Sequence, residues 1–320
     1  MTDLASTTPE TRLDSFHVYR IPYKKIGEHA IEVGILVPKE LEKGKHPVMV
    51  KWHGGGLITG DALYPDWIAA FKVPFLHRTR AIALLPNYRL LPEHTGADIL
   101  QDMADFWSWF HAGEAEAFLG NLQQHTGISL DHDKVLVAGD SAGGYMALMS
   151  GLLQPKGSIK TILAQYPMTN YLRAKADRAF FGGAEPPKET VLFEHLKAMK
   201  PGEVVSSVVP PARLGLSYVM AVYGHYLKYF GSEDEKMWPV GLVSEKKWLP
   251  PTWILHGGAD SAVSVEDSKL FVKKCEGLDG VEVKLTVREG MEHGFDGAAK
   301  EEEEAWLKEG LKWVEEKWLS

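Results

Sequence analysis

Gly139-Asp140-Ser141-Ala142-Gly143 sets a single hydroxyl among small neighbours, where one apolar run ends and another begins. A serine attacks a carbonyl only if its Oγ is exposed and its backbone is held on a sharp turn, and glycines on either side make that turn sterically affordable. The pattern is G-x-S-x-G. It follows a strand-like run, "KVLVAG", and opens a helix-like one, Ser141 to Leu153, which is the setting a nucleophile on a strand-to-helix turn requires. The amide of Ala142 then lies at a helix N-terminus, where it can face an anion. A phosphate loop is the rival reading. It fails in detail, because "GDSAGG" is not G-x-G-x-x-G and no G-K-[ST] follows.

His53-Gly54-Gly55-Gly56 directly follows another strand-like run. Successive glycines expose bare backbone N–H groups. Acyl transfer needs such donors for the oxyanion of its tetrahedral intermediate, each contributing about 3 kcal/mol. We assign the amides of Gly54, Gly55 and Ala142 to this role. His53 reads as a residue holding the loop, not as a base.

A serine hydroxyl needs a base, and the base needs an orienting acid. In the α/β-hydrolase layout, which this strand-turn-helix setting resembles, the chain order is Ser, then Asp or Glu, then His, so the acid is expected just past the seventh strand and the histidine just past the eighth. Asp260 stands just beyond "TWILHGG", and His293 just beyond "VEVKLTVREG". Among the 13 histidines, His256 falls inside a strand run, and His94, His195 and His225 could line a pocket without being marked as base. Glu266 and Asp267 are rival acids, but they fall in a helical stretch, and Asp296 follows His293 too closely to reach back. Asp140 reads as a structural hydrogen-bonding residue.

Eight strand candidates must carry these residues: "FHVYRIPY", "HAIEVGILVP", "HPVMVKW", "AIALLP", "KVLVAG", "TILAQYP", "TWILHGG" and "VEVKLTVREG". The short dense runs look like strands buried on both faces. Helical patterns alternate with them over residues 66–79, 96–113, 141–153, 264–277 and 301–319. The last has Leu307, Leu311, Val314 and Trp318 on one face and Glu301 to Glu304 at its start. Alternation implies an α/β class, with a mostly parallel eight-stranded sheet covered by helices on both faces. Residues 168–248 interrupt it after the sixth strand. Their Pro-rich pieces and apolar helical stretches, "VLFEHLKAM" and "LGLSYVMAVYGHYLKYF", predict a helical cap over the carboxyl ends of the strands. Phe180, Phe181, Leu214, Leu216, Tyr218, Met220, Tyr223 and Tyr226 would either pack that cap or line the site beneath it.

"HGGG", then "YRLLPEH" (Tyr88 to His94), then "GDSAGG" resembles the hormone-sensitive-lipase-like branch of the α/β-hydrolase superfamily, the alpha/beta hydrolase fold-3 family. The resemblance spans roughly residues 45 to 318. It implies an α/β-hydrolase fold, carboxylic-ester hydrolysis without a cofactor, a helical cap, and a Ser-Asp-His triad; the N-terminal contribution to the cap is short here, which departs from the family. On this chain that triad is Ser141, Asp260 and His293. After Asp260 the chain continues "SAVS", where the family usually continues Pro-Leu-x-Asp.

The 320 residues suit one such domain, with 45% hydrophobic and 24% charged residues. A net charge of −8 argues against nucleic acid as a partner. The single cysteine, Cys275, excludes an internal disulfide framework and fits a reducing compartment. The polar start "MTDLASTTPETRLDSF" lacks the apolar core of a secretion signal, and no apolar run approaches the roughly 20 residues that span a bilayer. The expectation is a cytoplasmic enzyme with no metal and no cofactor, acting on a small ester or thioester. A two-fold homodimer is the expected assembly if one forms. Two other functions are built on the same fold. One is an acyltransferase, thioesterase or cyclase acting on a biosynthetic intermediate such as a polyketide. The other is a non-catalytic small-molecule receptor, which is expected to lack a triad member.

Overall fold

The computed structural model describes residues 4–171 and 184–320. Its strands are β1 (Phe16–Ile26), β2 (His29–Pro38), β3 (Gly44–Trp52), β4 (Ile82–Pro86), β5 (Ile128–Asp140), β6 (Thr161–Gln165), β7 (Thr252–Gly257) and β8 (Val283–Arg288). They form one eight-stranded sheet in the order β1-β2-β4-β3-β5-β6-β7-β8. β1 pairs antiparallel with β2, and β2 antiparallel with β4; every later pairing is parallel. The mostly parallel sheet read from the sequence is therefore present.

Burial explains the composition of the strands. β4, β6 and β7 are buried along their whole length, as continuous apolar runs require when helices cover both faces. Edge strand β1 alternates half-buried and exposed residues over most of its length, with only Phe16 and Tyr23 buried. In β3 the pleat sends Val48 and Val50 into one apolar core and Met49 into the other. The larger core takes the apolar faces of α2 (Gly96–His111), α3 (Glu114–Gly120), α4 (Ala142–Leu153) and α9 (Val265–Cys275). The opposite core takes those of α1 (Lys72–Thr79) and α10 (Ala305–Leu319). Leu307, Leu311, Val314 and Trp318 of α10 are all fully buried.

Three local expectations are corrected. Residues 66–79 form a short 3-10 turn at Pro65–Trp67 and then α1, not one helix. Glu301 to Glu304 precede α10 instead of opening it. Arg78 draws Glu301 into an ion pair at 2.7 Å, and Glu304 takes the N-cap position. The stretch 214–230 is broken at Gly224, whose φ of 72° is left-handed, into α6 (Leu214–Val222) and α7 (Tyr226–Phe230).

Between β6 and β7 lie α5 (Thr190–Ala198), α6, α7 and α8 (Pro239–Lys246). Their connections are sewn to the loops that follow β3 and β4. Gly60 and Val208 exchange two 2.8 Å backbone bonds, Leu90 N–H donates to the Val205 carbonyl, and the Tyr226 hydroxyl donates to the Gly56 carbonyl at 2.5 Å. Arg213 grips Glu93 through two bonds of 2.6 and 3.0 Å. Burial opposes ionisation of Glu93, but His195 and Arg213 outweigh it and hold its carboxyl down at about 2. Among the described residues, no helix is long and apolar enough to cross a membrane.

Candidate active site

Parallel strands end on a common edge of the sheet, and here the loops after β3, β5, β7 and β8 converge on one cavity of about 300 Å³. Ser141, Tyr166, Ser217, Val263 and His293 are among the residues that line it.

Ser141 sits between β5 and α4 with φ 56° and ψ −116°, a strained conformation for a residue with a side chain. Its N–H donates to the Gln165 carbonyl at 2.9 Å, and its carbonyl accepts from Tyr145 and Met168. The flanking glycines make this packing feasible. A Cβ on Gly143 would lie 2.2 Å from the Trp52 carbonyl oxygen, and one on Gly139 would lie 2.0 Å from the Gly143 oxygen. Helix α4 can lie against β3 and β5 only because those side chains are absent.

That contact brings the glycine loop alongside the serine. A Cβ on Gly54 would lie 2.6 Å from Asp140 Oδ2 and 3.5 Å from the Ser141 Cβ. Gly55 and Gly56 have φ of 93° and 65°, which favour glycine. Among the described residues, the amides of Gly54 and Gly55 have no hydrogen-bond partner. His53 is buried, donates from Nδ1 to the Gly54 carbonyl at 2.9 Å, and stacks on Tyr88 with ring centroids 4.3 Å apart. Burial pushes its imidazole down to about 4, so it stays neutral at ordinary pH and serves the loop.

Asp260 follows β7 and His293 follows β8, and Asp260 Oδ2 accepts from His293 Nδ1 at 2.7 Å. The other Asp260 oxygen accepts the amides of Ala262 and Val263 at 2.9 and 2.7 Å. The "SAVS" segment thus turns back to cap the carboxylate. His256 Nε2 lies 3.3 Å from Oδ2 and 2.9 Å from the Val263 carbonyl, while its Nδ1 meets the Ser268 hydroxyl at 2.9 Å. Burial resists ionisation of Asp260, yet the bonds from His256, His293 and Val263 prevail and keep its carboxyl well below the usual carboxylate range. Glu292, not singled out in the sequence, accepts the amides of both Ser261 and His293 at 3.0 Å and so ties the two loops together.

Other sequence candidates lie elsewhere. His195 and His225 pair with Glu93 and Glu189, and the His94 ring meets the Val205 amide. Glu266 sits on α9, exposed and paired with Lys269. Leu214 and Tyr218 line the cavity, whereas Leu216, Met220 and Tyr226 are buried in the core and the Tyr223 hydroxyl reaches the Pro187 carbonyl. Phe180 and Phe181 lie outside the described residues. No metal-holding group of histidine, cysteine and carboxylate side chains occurs among the described residues.

Sequence reading missed a buried polar cluster behind the serine. Asp140 lies 2.7 Å from the buried Lys51 ammonium. Burial disfavours the Asp140 charge, but Lys51 and Lys72 outweigh that and lower its carboxyl. Lys72, also buried, bonds Gln165, which in turn bonds Asp296.

A family model described as "alpha/beta hydrolase fold" matches residues 49–297. A probable carboxylesterase of a Phoma species is 29% identical over 96% of this chain and 98% of its own. A non-reducing polyketide synthase of Stereocaulon alpinum is 24% identical over 95% of this chain, which spans 13% of that synthase. Among solved structures, an esterase of Pyrobaculum calidifontis superposes with a TM-score of 0.61 at 18% identity, over 98% of this chain and 87% of its own.

Proposed function

The chain belongs to the alpha/beta hydrolase fold family, and on that premise we propose that it is a carboxylesterase-type serine hydrolase acting through an acyl-enzyme on Ser141. The observation that carries this reading is the 2.7 Å bond between Asp260 and His293 at the wall of a cavity that Ser141 also lines. With Nδ1 committed to Asp260, Nε2 is the ring nitrogen left to accept a proton. Ser141 Oγ attacks the ester carbonyl as its proton passes to His293. The carbonyl oxygen becomes an oxyanion against the amides of Gly54, Gly55 and Ala142. The intermediate collapses, and His293 returns the proton to the departing alkoxide. Water then attacks the acyl group by the same route and frees the acid.

The cavity wall favours a small to medium, uncharged, apolar or aromatic ester. Trp67, Met168, Tyr171, Leu214 and Val222 line it, and Asp140 there is already paired with Lys51. The segment holding α5 to α8 serves as its cap.

One experiment decides the reading. p-Nitrophenyl esters of graded acyl length are offered to the protein and to Ser141→Ala, and each is treated with a fluorophosphonate. Loss of turnover by about 10⁴ or more, together with loss of labelling, is expected. Near-normal turnover by Ser141→Ala would sink the proposal. The likeness to a polyketide synthase over almost this whole chain favours a second reading, acyl transfer or thioester cleavage on a biosynthetic intermediate. In that case the fluorophosphonate labels Ser141, simple esters are left intact, and acyl thioesters are consumed.

A further inference from the structure

The carboxyl end of β6 touches both halves of the site through two consecutive residues. Gln165 accepts the Ser141 amide on its carbonyl. Tyr166 lays its ring against His293, with centroids 4.5 Å apart and planes inclined by 58°. Tyr166 has φ 38°, a left-handed backbone that an aromatic residue adopts only when its surroundings impose it. Those surroundings are specific. Its N–H donates to the Leu255 carbonyl at 2.6 Å, and its hydroxyl donates to Asp296 Oδ1 at 2.9 Å.

Asp296 is fully buried, on the same loop as His293 and three residues beyond it. Its second oxygen accepts from Gln165 Nε2, and Gln165 Oε1 accepts from the buried Lys72. Both Asp296 oxygens are therefore engaged away from the imidazole, so Asp296 is not a second acid for His293. It anchors the tyrosine instead. The contacts close a ring: Tyr166 to Asp296, along the loop to His293, and back to Tyr166.

A ring pinned only at Nδ1 can still swing about that bond, carrying Nε2 out of line with the serine. A second contact is needed to fix its plane. We propose that Tyr166 is a positioning residue for His293, and that Asp296 holds it there through the hydroxyl. The assignment rests on the serine-hydrolase reading of the site. It makes the Asp296 hydrogen bond necessary for the rate of the chemical steps and unnecessary for substrate binding.

Tyr166→Phe removes the hydroxyl and keeps the ring, and Asp296→Asn keeps the volume. Both are assayed with a p-nitrophenyl ester, with rates expressed per serine titrated to completion by a fluorophosphonate. Misplacement of a catalytic group by about 1 Å costs roughly 100-fold, so kcat is expected to fall by about 10- to 100-fold in each variant. KM should stay within about twofold, since the bond acts only on the reacting geometry. The double variant should be no slower than the slower single one, because both changes break one contact. The inference is overturned if Tyr166→Phe keeps kcat within about twofold of wild type, or if both variants merely melt earlier with full activity per titrated serine. Ser141→Ala separates the two levels. If it keeps its activity, the site reading itself has failed. If it is inactive while Tyr166→Phe is not, only the positioning role is lost.

Discussion

Asp260 and His293, 33 residues apart in the chain, meet at 2.7 Å across the loops that follow two adjacent parallel strands. The acid is fully buried and the imidazole 17% exposed. On the proposed mechanism this gradient gives the pair its polarity: a fixed anion inward, and a proton-accepting ring at the cavity.

Asp260→Asn tests that polarity. The amide can present its NH₂ to Nδ1 and favour the wrong tautomer. In a serine protease triad such a change lowers kcat by about 10⁴, and a loss of about 10³ to 10⁴ is expected here, with KM little changed. Glu266→Gln, on the exposed face of α9, should leave kcat within about twofold. Steady-state rates on one ester check both; a large loss in Glu266→Gln would relocate the acid.

The second prediction concerns the β3–α4 contact. In Gly143→Ala the new methyl would meet a backbone carbonyl, that of Trp52, which cannot rotate away. Overpacking of this kind costs about 1–3 kcal/mol. The strain also separates the Gly54–Gly55 loop from Ser141, so both the melting temperature and kcat should drop. Gly202→Ala makes a control for the added methyl, since nothing lies near its Cβ position, although its φ of 78° carries its own strain. It should lower stability alone. Thermal melts and kcat distinguish the two, and an active Gly143→Ala protein would contradict the close-packing account.

Ser141 and Asp260 were legible as candidates because each follows an apolar run dense enough to be a buried strand, and His293 because it follows the last strand-like run, whose strand β8 is half-buried along its length. In a parallel sheet, consecutive strand ends share an edge, so residues far apart in sequence become neighbours in a calculable order. The glycines around Ser141 were legible for the same reason, as the residues a tight crossing demands. Lys51, Lys72 and Asp296 carried no comparable signal. A charged residue in a sequence looks like surface, and these are buried only because Asp140 and Gln165, from other strands, supply partners. Tyr166 stood unmarked inside the strand candidate "TILAQYP". Its contact with His293 depends on a left-handed backbone that no local pattern announced. The first half of β5 was missed because the charged "DHD" interrupts the apolar run, whereas the pairing with β3 resumes at Asp131 and extends back to Ile128. The contribution of α3 went unread because it buries only Ala115 and Leu119.

Substrate size is the third prediction. Ala221 on α6 lines the cavity with Tyr218 and Val222. Ala221→Phe would fill part of about 300 Å³. One methylene in an apolar pocket changes kcat/KM by about 10- to 200-fold. The variant should therefore lose at least about tenfold on aromatic or long-chain esters while keeping acetate hydrolysis within about threefold. Equal losses on all acyl lengths would mean that α6 does not bound the substrate.

The last prediction is a pH dependence of stability traceable to His53. Its folded pKa is about 4, because burial disfavours the charged ring. In the unfolded chain it protonates near about 6.5. The folded value is the lower one, so the unfolded state takes up the proton first as pH falls. Stability is then complete above about 6.5 and declines through the window down to about 4, at about 1.4 kcal/mol per pH unit. From pH 6.5 to 5 that amounts to about 2 kcal/mol from this ring alone. Other partly buried histidines, such as His77 and His94, are lowered in the same direction and add to the slope. The comparison that isolates His53 is therefore the difference between wild type and His53→Asn. Urea unfolding at pH 7 and pH 5 should show wild type losing about 2 kcal/mol more than the variant over that interval. Parallel losses would mean that the His53 ring is hydrated and able to charge in the fold, and that its stacking on Tyr88 does not seal it from water.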